Sequence, residues 1–188
     1  CQLLLKDSRR RVRIGISLAS VLAQLLVAVE LLLITSGIQA SPWFGHIAVY
    51  LLGDWPAPFG IVMVADVLAA IMLTLNAVLG IATLVYATAR WDRAGVHFHP
   101  LFQFLLMGIN GAFLTGDLFN LFVFFEVLLA ASYGLMLHGS GEARVTAGLH
   151  YIVTNLVASF LLLIAMALVY GVTGTLNMAD LAVQAGRL

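Results

Sequence analysis

Long apolar stretches separated by short polar ones make up most of the chain. Five of them, at about 14–36, 59–87, 100–115, 118–137 and 148–170, approach or exceed the roughly 20 mostly apolar residues that cross a bilayer as a helix. The third is the shortest, at roughly 16 residues. Its boundary with the fourth falls at Gly116-Asp117, so the two read as a helical hairpin. The runs are continuous and do not alternate, which opposes the strands of a membrane barrel. The pattern predicts an all-α integral membrane protein of about five transmembrane helices, in a single membrane domain over residues 1–188.

Composition agrees. The chain is 62% hydrophobic and 10% charged, against about 45–50% and about 25% in soluble domains. Formal net charge is zero, so nothing draws the chain generally to nucleic acid. Cys1 is the one cysteine, which leaves no disulfide and no cysteine metal site. Charge placement adds an orientation. Lys6, Arg9, Arg10, Arg11 and Arg13 precede the first span, Arg90 and Arg93 follow the second, and Arg144 lies between the fourth and fifth. With alternating spans, all of these fall on one side, and the opposite loops carry no Lys or Arg. The positive-inside rule then predicts a cytoplasmic N-terminal basic segment. Arg187 comes later, where a further span is expected to start. The loop over 43–58 contains Pro56 and Pro58, which oppose regular helix, and Trp43 and Trp55, which suit the headgroup level. The chain starts at Cys1 instead of Met and stops just after a polar loop, so it reads as a fragment.

The chemistry centres on Glu126. It stands in Asn120-Leu-Phe-Val-Phe-Phe-Glu126-Val-Leu-Leu-Ala-Ala-Ser-Tyr133, otherwise apolar. An ionised carboxylate at mid-bilayer costs roughly 2.5–3.5 kcal/mol, and such residues mark proton or ion paths. Glu126 lies nine positions from the turn at Asp117, or about 14 Å along a helix, near the middle of a hydrocarbon core about 30 Å thick. The competing reading is a protonated Glu hydrogen-bonded across helices. His150 lies near the start of the fifth span; histidine as a residue type can take up and release a proton, which suits a relay to the cytoplasm, against the plainer reading of a polar anchor. Glu30 and Asp66 lie near span ends and read mainly as structural, and Asp117 reads as a solvated turn residue. His97 and His99 are too few ligands for a metal. Asn110, Asn120, Asn155 and Gln103 suit hydrogen bonds between helices, or water. Gly108, Gly111 and Gly116 permit close helix approach. No nucleotide loop, nucleophile elbow or haem motif is present, so no cofactor, metal or catalytic residue is expected.

The segment Gly116-Asp-Leu-Phe-Asn120-Leu-Phe-Val-Phe-Phe-Glu126-Val-Leu-Leu-Ala-Ala-Ser-Tyr133 resembles the D-type subunit of the Mrp-type multisubunit sodium/proton antiporters. Trp55-Pro-Ala-Pro-Phe-Gly-Ile61, Phe98-His-Pro-Leu101 and Tyr170-Gly-Val-Thr-Gly-Thr-Leu-Asn-Met-Ala179 agree in order. The carboxylate motif alone is shared with the antiporter-like subunits of respiratory complex I; the hairpin and tail motifs together favour the D-type antiporter subunit. The resemblance implies a multi-pass protein of a bacterial inner membrane with about fourteen spans, of which these match the second to sixth. It implies that Glu126 pairs functionally with a lysine beyond Leu188. It implies partners as well: other subunits of a hetero-oligomeric complex, protons, and Na+ or another monovalent cation. Many relatives have a Lys where this chain has His150, which keeps a titratable group there. Two rival readings stand beside the antiporter. One is a proton-pumping subunit of an NADH-quinone oxidoreductase or membrane hydrogenase. The other is a purely structural scaffold.

Overall fold

The computed structural model describes residues 10–39, 45–55, 60–94, 97–139 and 141–186, with the side chains of residues 93 and 94 excepted. Cys1, Lys6, Arg9, Trp43, Pro56, Pro58 and Arg187 lie outside the described residues. The elements are α1 (Arg10–Thr35), β1 (Ala48–Leu51), β2 (Val62–Ala65), α2 (Val67–Ala89), α3 (Phe98–Leu114), α4 (Leu118–Met136), α5 (Glu142–Thr173) and α6 (Met178–Ala185). Helices α1, α2, α4 and α5 are long and apolar enough to cross a membrane; α3 is apolar and shorter, at 17 residues.

Two helix starts differ from the apolar pattern. Helix α2 begins at Val67 and not near residue 59, because 62–65 pairs as a strand with 48–51, in the register Ala48↔Ala65 to Leu51↔Val62. Asp66 then caps the helix, its carboxylate accepting the Ala69 N–H at 2.7 Å. Helix α5 begins at Glu142, before the apolar stretch, because its first turns are polar but free of helix breakers. It ends at Gly174, whose left-handed backbone (φ 73°) suits a residue without Cβ. Asp117 is also not solvated. It is buried, and its carboxylate accepts the Asn120 N–H at 2.9 Å to cap α4. That bond satisfies an amide the first helical turn leaves orphaned.

The chain runs up and down, so the bundle has two distinct ends. One end carries Arg10, Arg13, Arg90 and Arg144 and is tied by side chains. Arg10 donates to both Asp92 oxygens at 2.8 and 2.9 Å. Arg144 donates to the His138 carbonyl and lies over the Trp91 ring. The other end is tied by backbone: Gly116 N–H to Val62 O and Met178 N–H to Gly116 O, both 2.8 Å, and Leu118 N–H to Leu176 O at 2.9 Å. Between the ends, Val21 of α1, Leu84 of α2 and Phe98, Phe102 and Leu106 of α3 form the buried apolar core.

Glycines set the α3–α4 hairpin. A Cβ on Gly108 would meet Leu128 backbone at 2.8 Å, and one on Gly111 would meet the Phe124 ring. Gly134 faces Leu101 in the same way. This antiparallel register places Glu126 level with Ile109 and Asn110.

Candidate functional site

Helix α4 holds Glu126 half-buried between Phe125 and Val127. Its Oε1 is fully buried and has no hydrogen-bond partner. A buried carboxyl oxygen without a partner is costly unless a proton, cation or water answers it. Tyr133 lies two turns further along the same face, and its ring meets Tyr151 of α5 edge-on at 5.6 Å. Ser132 and Tyr151 hydroxyls are 3.4 Å apart across the same seam.

His150 is exposed on α5, and its Nδ1 lies 2.9 Å from the Thr146 carbonyl one turn back. Leu137 packs where a Gly148 Cβ would stand, so His150 is level with Gly134 and Leu135. That is eight or nine residues from Glu126, or about 12 Å of helix. The bundle therefore does not bring His150 against Glu126. Glu30 is exposed on α1. Asn155 bonds its own helix at the Tyr151 carbonyl. Asn120 donates to Thr115 Oγ1 at 2.9 Å. Among the described residues no three His, Cys, Asp or Glu gather closely enough to hold a metal.

Gln103 and Asn110 hydrogen-bond between helices as expected, within a larger polar constellation that the sequence reading did not assemble. Ser17, Ser20 and Gln24 of α1 face His99, Gln103 and Asn110 of α3, and Asn76 of α2 joins them. Asn76 donates to Asn110 Oδ1 at 2.7 Å, and Asn110 donates to Gln24 Oε1 at 3.1 Å. Gln24 and Ser20 both donate to Gln103 Oε1, at 3.3 and 3.1 Å. Ser17 Oγ lies 3.0 Å from His99 Nδ1, and His99 Nε2 lies 3.7 Å from Asp92. The signal was available as spacing. Residues 10, 13, 17, 20 and 24 form one helical stripe, as do 99, 103 and 110.

The family model for the membrane domain of NADH:quinone oxidoreductase and Mrp antiporters matches residues 115–187, which include Glu126 and His150. A probable K+/H+ antiporter D-type subunit of Rhizobium meliloti is 55% identical over 98% of this chain and 34% of its own length. Residues 115–187 thus carry the transmembrane module of the NADH:quinone oxidoreductase/Mrp antiporter family. The Na+/H+ antiporter D-type subunit of Alkalihalophilus pseudofirmus is 48% identical over 85% of this chain and 33% of its own. The solved Mrp complex of Dietzia sp. contains a chain that superposes with a TM-score of 0.79. It is 36% identical, over 95% of this chain and 35% of that one. The present chain thus spans about a third of the length of the curated relatives it matches. These likenesses make it a membrane protein homologous to antiporter subunits.

Proposed function

We propose that the chain is part of a D-type subunit of a multisubunit monovalent-cation/proton antiporter, with Glu126 as its intramembrane proton site. The subunit acts as a transporter, within a complex of other subunits, and not as an enzyme in its own right. One observation carries the reading: a buried, unpartnered carboxyl oxygen at the middle of apolar α4, in a chain homologous to D-type antiporter subunits. A neutral Glu126 needs a proton, and an ionised one needs a cation or water. Exchange between those states is proton transport. His150 serves as a relay near the basic end, reached from Glu126 through water past Tyr133 and Tyr151, since no direct contact joins the two. The lysine that the family resemblance implies as the third member lies outside these residues. The basic end faces the cytoplasm, on the one-sided placement of Lys and Arg. The exchanged ion is Na+ or K+, following the names of the two D-type relatives.

The test is Glu126→Gln in the full complex, read with a pH-gradient dye in everted vesicles upon Na+ or K+ addition. Gln keeps the size and hydrogen-bonding groups but holds no transferable proton. The variant should assemble and lose most exchange, while Glu126→Asp retains part of it. Wild-type exchange by an assembled Glu126→Gln complex would sink the reading. A second reading draws on the family model, which also covers NADH:quinone oxidoreductase. There the same carboxylate would serve a respiratory proton pump, and ion-driven exchange without electron donor and quinone would be absent.

A further inference from the structure

We propose that the outer face of α1 is the docking surface for a transmembrane helix of a neighbouring subunit, and that this helix brings a Lys or Arg to Glu30. The inference rests on the proposed place of the chain in a complex of several subunits, and it names the face at which one partner sits. Three observations carry it.

The first is a carboxylate without an answer. Glu30 is exposed on α1 and has no hydrogen bond or ion pair with any described residue. Arg13 stands at the basic end, and Glu30 is about 25 Å of helix further on, inside a hydrocarbon core about 30 Å thick. Side chains on an α-helix lean toward its N-terminus. The N-terminus of α1 is the basic end, so Glu30 leans toward the middle of the bilayer and away from the nearer headgroups. Ionisable residues at such depth pair with one another or face other helices, not lipid.

The second is the shape of the face. Gly15, Ala19, Ala23, Leu26 and Glu30 lie within about 80° of one another around the helix, and all five are exposed. Nothing lies within 4 Å of a Cβ placed on Gly15. Small residues at four-residue spacing let a second backbone come close, which is how helices associate where lipid offers no hydrophobic drive. Close approach also brings a partner side chain onto Glu30 and keeps lipid away from it.

The third is position. The buried residues of α1 are Arg13, Ser17, Val21, Ala28 and Thr35. They take the opposite side of the helix, against α2 and α3. The proposed proton site is in α4, within the family module at 115–187. Whatever completes that site seats on α4 and α5, and the α1 stripe looks away from it. The occupant is therefore another subunit. Its charge follows from Glu30. The described Arg side chains all stand at the basic end, too far to reach it, and an ionised carboxylate removed from water needs a cation beside it.

The experiment uses the full complex with a photo-cross-linking amino acid at Leu26, which is 72% exposed on the stripe. The cross-linked peptide is identified by mass spectrometry. It should join α1 to a transmembrane helix of one co-purifying subunit, with a Lys or Arg at the level of Glu30. Glu30→Lys should lower the yield of that subunit in the complex several-fold, and Glu30→Gln should lower it less. Replacing the partner's cation by Glu should restore assembly of Glu30→Lys. Gly15→Leu meets nothing in its own chain, so it should insert normally and still lose the partner. Cross-links confined to the same subunit or to lipid would overturn the inference. So would a wild-type yield of the partner from any of the three variants, or a charge reversal that fails to rescue. The outcomes separate from those for the function. Subunits that co-purify but never cross-link at Leu26 remove the docking face and leave the antiporter. A partner fixed at α1 beside a fully active Glu126→Gln does the reverse, and a wild-type protein that purifies without other subunits removes the complex on which both rest.

Discussion

Helices α1 to α3 and helices α4 to α5 differ in how far their polar side chains reach across to other helices. In the first group, Thr35, Thr74 and Thr88 bond their own helix, but the amides reach other helices: Asn76 to Asn110, Asn110 to Gln24, Gln24 to Gln103. In the second, polar side chains fold back on their own helix. Ser132 donates to the Leu129 carbonyl, Thr146 to that of Glu142, Thr154 to that of His150 and Asn155 to that of Tyr151. Burial follows the same line: 33% of the most apolar window of α2 is buried, and 6% of that of α5. In hydrocarbon a polar group must find a partner inside the protein. Near mid-bundle the first three helices find theirs in one another, although α3 packs most closely on α4. Helices α4 and α5 mostly find their own backbone, with Ser132 and Tyr151 meeting across their seam, and Glu126 Oε1 finds no partner. The proposed proton site thus lies in the half whose polar side chains cross to other helices least. An unpartnered oxygen belongs where a mobile proton supplies what the fold does not.

The seam between the two halves is where the comparison breaks most easily. Gly108→Leu is expected to have the largest effect. Its Cβ would stand 2.8 Å from both N and Cβ of Leu128. Ordinary overpacking costs about 1–3 kcal/mol, and here the atom met is backbone, so the helices themselves must part. The full complex should fail to assemble or melt at a clearly lower temperature in detergent. Gly171→Leu is the control, because nothing lies within 4 Å of a Cβ there. Equal behaviour of the two variants would mean that the α3–α4 hairpin does not close as described.

How much of this was readable from residues alone follows the same division. The apolar runs located the helices, because a span must be apolar whatever it packs against. They misplaced the start of α2, because Val62-Met-Val-Ala65 is as apolar in a strand as in a helix. Glu126 stood out because one charge in an apolar run is visible without a partner. Asp117 was misread, since a capping carboxylate and a solvated turn carboxylate look the same until burial is known. Of the α1–α3 stripe, Gln103 and Asn110 were legible as residues that bond between helices, but their partners were missed for a different reason. Gln24 and Asn76 are uncharged and scattered over separate runs, and their meaning is a matter of which helices face each other. Long-range pairing of that kind leaves no local pattern; only the spacing within α1 and within α3 hinted at it.

A smaller effect sharpens the claim that α1 to α3 join through their amides. Asn76→Leu removes the donor to Asn110, and Asn110→Leu removes both ends of its bonds. Hydrogen bonds between membrane helices are worth about 0.6 kcal/mol on average and at most about 1.7. Each variant should lower thermal stability by that order. The double variant should lose less than the two single losses together, because the second change removes a bond already broken. Strict additivity would show that Asn76 and Asn110 are not partners, and the amides would lose their link to α2.

The smallest effect is expected at Thr154→Val. The Thr154 hydroxyl donates at 2.9 Å to the His150 carbonyl one turn back. Val has the same branched shape at Cβ, so the rotamer is kept. The His150 carbonyl also keeps its place as acceptor for the helical N–H four residues on. Removing the hydroxyl therefore strands no buried group, and the change in stability should stay within about 0.5 kcal/mol. Exchange by the complex should be unaltered too. A loss above that size, or slowed exchange in a fully assembled complex, would show that in the complex this hydroxyl bonds to another helix or to transported water. The polar groups of α5 would then be engaged in the same manner as those of α1 to α3, and the contrast between the two halves would be a property of the chain alone and not of the assembled transporter.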